Sequence, residues 1–287
     1  MTAPSTLVVI ARLVLAVFGY FTVFAVLAGG LYLAGLLLIG SQAWALSMPG
    51  LAIASGGALL SVLAVWKWVD HRALIGLGLR RDVAVAQWLR GAAVGMLMMA
   101  SVVVVWFWLV GGAAWTVNPD LATAAIALIL GFVGFVVQGA SEEVMFRGYV
   151  LENIRAKWGM TWGIGVSALL FSLAHMPNTA FGALPFINLV LFGVATGLWK
   201  LRIDAGQLWG VCAIHSMWNW MQQVVFGLPN SGLASPPDET LFSVVPNTSA
   251  AAFIWGGGFG PEGTLGATLV LLAVIAATLR VQRPGRR

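Results

Sequence analysis

Eight apolar runs divide the chain, at residues 7–28, 50–66, 91–112, 122–151, 160–176, 183–199, 206–226 and 263–280. A bilayer core about 30 Å thick is crossed by roughly 20 helical residues, and a chain inside it must satisfy its own backbone hydrogen bonds. The expected fold is therefore all-α: a polytopic transmembrane helical bundle of about eight spans, residues 1–287 forming one domain. Only 9% of the residues are charged and 60% are hydrophobic, against about 25% charged in soluble domains. The first run continues through Gly29 and Gly30 to Ile39, so it reads either as one long tilted helix or as a span followed by an interfacial piece.

With every second loop assigned to the cytoplasm, Arg12, Lys67, Arg72, Arg80, Arg81, Arg90, Arg155, Lys157, Lys200, Arg202, Arg280, Arg283, Arg286 and Arg287 fall on one side. The opposite loops contain no Lys or Arg, which predicts an inner-membrane protein with both termini cytoplasmic. This scatter of single charges accounts for the net charge of +5 and excludes a nucleic-acid surface, which needs clustered basic residues. The single cysteine, Cys212, lies within a span, so no disulfide framework is expected. Residues 67–90 read as a solvated connection or as an interfacial helix anchored by Trp66, Trp68 and Trp88, the loop being preferred. Residues 227–262, rich in Pro and Gly, read as an irregular external loop. The first run lacks a small-residue cleavage site and is expected to stay as an uncleaved span.

Ionisable groups inside a bilayer cost at least about 2.5 to 3.5 kcal/mol each, so each needs a reason to be there. Asp70, Asp82, Glu152 and Asp204 are expected in cytoplasmic connections, and Asp120, Asp238, Glu239 and Glu262 in external ones. Only Glu142 and Glu143 remain among the acids. Of the histidines, His71 is in a loop while His175 and His215 are in spans.

Glu143 and Arg147 stand four apart on one helical face and can neutralise each other. Glu142 is turned by about 100° and must face something else; the purely structural alternative has both carboxylates share the arginine. Spans four and five meet in a tight turn near Trp158 and Gly159, so residues whose numbers sum to about 317 lie level, as Glu142 and His175 do. His215 and Asn219 share one face of span seven, and the structural alternative there is a polar stripe gluing helices, a role assigned to Asn188. Gly193 and Gly197 are read as close-packing positions.

A buried carboxylate beside an imidazole can hold and deprotonate a water, and His215 with Asn219 can supply donors to the oxyanion of amide hydrolysis. Glu142, His175 and His215 also make a ligand set for Zn2+. No HExxH occurs, and the metal-free version is preferred, with no cofactor firmly expected.

Glu142, Glu143 and Arg147 resemble an EExxxR motif, Phe171 and His175 an FxxxH motif, and His215 and Asn219 an HxxxN motif. Together they resemble the CAAX prenyl endopeptidase type II and bacteriocin-processing group of intramembrane proteases, the Abi or CPBP family, over about residues 120–226. The resemblance implies a helical core with a conical cavity, water activation by Glu142 with His175, and oxyanion stabilisation by His215 and Asn219. It assigns Glu143 and Arg147 a supporting part. Members are described both as metalloproteases and as glutamate-dependent enzymes, so the resemblance leaves the metal question open. The expected partners are membrane lipid and a membrane-embedded or lipid-modified peptide. A non-catalytic scaffold or immunity protein and a proton-coupled transporter are the alternatives; intact motifs count against the first and the lack of paired broken helices against the second.

Overall fold

The computed structural model describes residues 5–41 and 47–281; Arg283, Arg286 and Arg287 of the basic set lie outside them. Each of the eight apolar runs is helical: α1 (Thr6–Ile39), α2 (Met48–Ala64), α3 (Ala84–Ser101), α4 (Leu121–Glu143), continued after a π-helical stretch by α5 (Leu151–Trp158), then α6 (Met160–Ala174), α7 (Ala183–Arg202), α8 (Trp209–Trp220) and α9 (Leu265–Arg280). Among the described residues five helical runs, including Thr6–Leu38 and the continuous Leu121–Trp158, are long and apolar enough to cross a membrane; α6 and α9 are shorter apolar helices. The first run is one helix, ended by Gly40 in a left-handed conformation.

Helix starts follow from side-chain acceptors. Ser5 accepts from the N–H of Val8, Asp120 from those of Ala122 and Thr123, and Thr264 from that of Ala267. The Thr123 hydroxyl and backbone N–H hold the exposed Asp120 carboxyl below the ordinary range. Gly159, at φ +90°, makes the turn between α5 and α6.

Helix α8 runs through the protein interior, with every residue from Gly210 to Asn219 buried. Close backbone approach on two sides fixes it there. Gly91 and Gly95, four apart on α3, lie so near the carbonyls of Gly210 and Ile214 that a Cβ at either position would overlap them. A Cβ at Gly139 of α4 would stand 2.6 Å from Ser216 Oγ. Small residues of this kind let helices approach in a membrane. Gly193 packs on Ala168 in the same manner, whereas a Cβ at Gly197 would only press on the Ile164 side chain at 3.3 Å. Gly95→Val is expected to push α8 aside, with a loss of about 1 to 3 kcal/mol typical of overpacking; a lowered unfolding temperature in detergent checks this.

Several local expectations need correction. Residues 67–90 form neither a plain loop nor one interfacial helix: a π-helical turn (Val65–Val69) and a 3-10 turn (Leu74–Leu77) precede α3. Trp66 is no interfacial anchor, because it is 3% exposed, donates to the Ala73 carbonyl and packs against Arg72. Asp70 is buried against Arg12 and the Tyr149 hydroxyl, both 2.9 Å away. Glu152 lies within α5, bridged to Lys200 and Arg155. Asp204, between α7 and α8, pairs with Arg90, yet burial pushes its carboxyl up to about 6.

The stretch after residue 226 is not wholly irregular either. Phe242–Val245 pairs antiparallel with Ala114–Val117, from the α3–α4 connection, as a two-stranded sheet. Asn118 fastens it by donating to the carbonyls of Asp238 and Thr240. Glu262 is buried rather than solvated.

Candidate active site

Helix α4 delivers Glu142 and Glu143, the π-helical stretch Val144–Val150 delivers Arg147, His175 ends α6, and α8 carries His215 and Asn219. The Glu142 carboxylate lies 4.0 Å from His175 Nε2 and 3.7 Å from His215 Nε2 through the same oxygen, Oε2. That oxygen has no hydrogen-bond partner. The hairpin that makes residues 142 and 175 level brings the first pair together, and the glycine-lined seat of α8 brings in the third group.

Each imidazole is oriented by its other nitrogen. His175 Nδ1 is 2.8 Å from the Phe171 carbonyl, which can only accept, so Nδ1 carries the proton and Nε2 presents its lone pair to the cavity. His215 Nδ1 lies 2.9 Å from Glu143 Oε1. Aromatic packing fixes both rings: Phe171 touches His175 and His215, and Phe192 packs edge-on against His215.

Glu143 and Arg147 are both fully buried, with Nε 3.3 Å from Oε2. Arg147 also donates to Thr196 Oγ1 at 2.9 Å and lies 4.2 Å above the Phe171 ring. Glu142 makes no comparable contact with the arginine, so the two carboxylates have separate tasks: one balances a cation, the other faces the histidines.

Asn219 joins through a residue that the motif reading passed over. Gln138 donates to Glu142 Oε1 at 2.6 Å and accepts from Asn219 Nδ2 at 3.0 Å. Its spacing of four before Glu142 puts the two on one helical face, which is the sequence signal for it. Thr196 had no such signal, being tied to the motif only through the fold. Gln138→Ala is expected to free both partners and lower kcat about tenfold with little change in KM, since orientation contributes to turnover; steady-state kinetics would show the split.

Gln138, Glu142, His175, His215 and Asn219 line a cavity of about 590 Å³, within the range of sites that enclose a ligand. Tyr20 and Phe24 of α1 form part of its wall, and Tyr20 is hydrogen-bonded to Ser141 beside the acid pair. Zinc takes its N and O ligands at about 2.0 to 2.2 Å. Among the described residues no ready-made cluster of three His, Cys, Asp or Glu groups stands at metal-ligand spacing. The 3.7 and 4.0 Å separations are between donor atoms, however, and two such bonds can span them; if zinc binds here, Glu142, His175 and His215 would hold it.

Residues 122–221 match the family model described as type II CAAX prenyl endopeptidase Rce1-like. No curated protein matches the chain significantly.

Proposed function

We propose, from the match of residues 122–221 to the family model described as type II CAAX prenyl endopeptidase Rce1-like, that this is a CAAX-protease-like multi-pass membrane protein that hydrolyses a peptide bond of a membrane-embedded or lipid-modified substrate by a glutamate-activated water. The observation that carries this reading is the unpartnered Glu142 Oε2 with two imidazole Nε2 atoms at 3.7 and 4.0 Å. One water at about 2.8 Å from each group spans those separations.

In this mechanism Glu142 takes a proton from the water, which His175 Nε2 steadies through the second hydrogen. The hydroxide adds to the peptide carbonyl carbon, the C=O π pair moves onto the carbonyl oxygen, and that oxygen becomes the oxyanion. Glu142 then returns the proton to the leaving nitrogen as the C–N bond breaks, so no covalent enzyme intermediate forms. With Nδ1 donating to Glu143, His215 can donate to the oxyanion through Nε2 only as the imidazolium. Glu143 faces that cation, and Arg147 balances Glu143. Asn219, steered by Gln138, is the second donor.

The Lys and Arg asymmetry further supports cytoplasmic termini. The decisive assay is cleavage of lipidated and unlipidated peptides by the purified protein in detergent, before and after treatment with a zinc chelator. Activity retained after chelation is the expected result. Loss restored by Zn2+ would replace this mechanism with a metal-dependent one, and no cleavage of any peptide would end the peptidase reading.

A further inference from the structure

The cavity has a second carboxylate that hydrolysis does not use. Glu262, in the turn before α9, is 7% exposed and lines the same cavity as Glu142. Its Oε2 accepts from the backbone N–H and the hydroxyl of Ser231, both at 2.8 Å. That pair ties the 231 loop to the turn and uses Oε2 alone. Asn230, equally buried and lining the cavity, has an unpartnered Oδ1. A role limited to pinning the loop does not explain that free acceptor.

No Lys or Arg lines the cavity among the described residues, and none occurs in the sequence between Arg202 and Arg280. A buried carboxylate without a cation beside it is costly, and no Lys or Arg of the cavity wall stands beside this one. Two acceptors on a wall without Lys or Arg match a ligand that brings donors and charge together.

The subsite is tied to the hydrolytic centre through α7: Asn188 donates to the carbonyls of Glu262 and Thr264, and Phe192, which packs on His215, is one turn further along the helix. We propose that Glu262 and Asn230 form a subsite for a Lys or Arg side chain of the substrate, in the same cavity as the bond that is cut. This inference rests on the peptidase reading and gives it a substrate class: peptides with a basic residue close to the cleavage point.

The test uses matched peptides with Lys or Gln at each position flanking the cut. The wild-type protein is expected to show at least a tenfold higher kcat/KM for the Lys peptide at one of the flanking positions. Glu262→Gln, which keeps an acceptor for Ser231, should bring that ratio close to one, and Glu262→Lys should invert it in favour of a Glu peptide. A wild-type ratio near one, or a ratio unchanged by Glu262→Gln, overturns the proposal; equal loss on both peptides leaves the ratio unchanged and so counts against it. Binding of the same fluorescent peptides to the Glu142→Gln protein separates the two readings. If nothing is cleaved, tighter binding of the Lys peptide, lost in the Glu142→Gln, Glu262→Gln double variant, still supports the subsite, and equal binding overturns it.

Discussion

Glu142→Gln is expected to lower kcat by roughly 10²- to 10⁴-fold, the range over which a positioned acid–base group acts. The replacement keeps the size of the side chain and an oxygen for Gln138, which now donates to Glu142 Oε1 at 2.6 Å. It removes only the ability to take a proton at the atom between the two histidines. KM and the unfolding temperature should therefore stay near the wild-type values while turnover falls. Full turnover by this variant would mean that some other group activates water.

The second large effect is on folding. Arg147→Met is expected to destabilise the protein by about 3 to 5 kcal/mol, because it leaves the fully buried Glu143 without its cation. The loss of contact with the Phe171 ring and Thr196 adds to this. Arg147→Lys should recover only part of the stability, since a compact ammonium cannot both stack on a ring and reach Thr196. The informative variant is Glu143→Gln combined with Arg147→Met, which removes both charges and should be more stable than Arg147→Met alone. Unfolding temperatures in one detergent would reveal the coupling. A double variant that melts below the single one would show that charge balance is not what holds this region.

The helical character of the eight apolar runs was legible because helices in oil are written as uninterrupted apolar stretches, and the level placement of Glu142 and His175 because a short turn fixes the register of a hairpin. The convergence of His215 on the same oxygen was legible only as the oddity of a histidine inside a span. What escaped depends on long-range packing. Ala114–Val117 and Phe242–Val245 lie in separate loops and pair only because the bundle brings those loops together. Trp66 looked like an anchor since sequence cannot tell a tryptophan at an interface from one folded under its own chain. Gly91 and Gly95 carry no chemistry, and their importance appears only once the Gly210 and Ile214 carbonyls lie against them. Glu262 was assigned to water on loop composition, which cannot show that a loop folds back into a cavity.

The chain of contacts from Arg147 through Glu143 to His215 is assembled from segments that leave the ribosome at different times. When α4 and the stretch after it enter the bilayer, Glu143 has only its own helix's arginine for company, because Thr196 and His215 are encoded about 50 and 70 residues later. Until α7 and α8 arrive, the young polypeptide holds a polar sore in lipid that its finished form heals. Biogenesis of this protein thus has a built-in checkpoint: nascent chains cut off before Trp209 should be recognised by membrane quality control and degraded, whereas those that include α8 should persist.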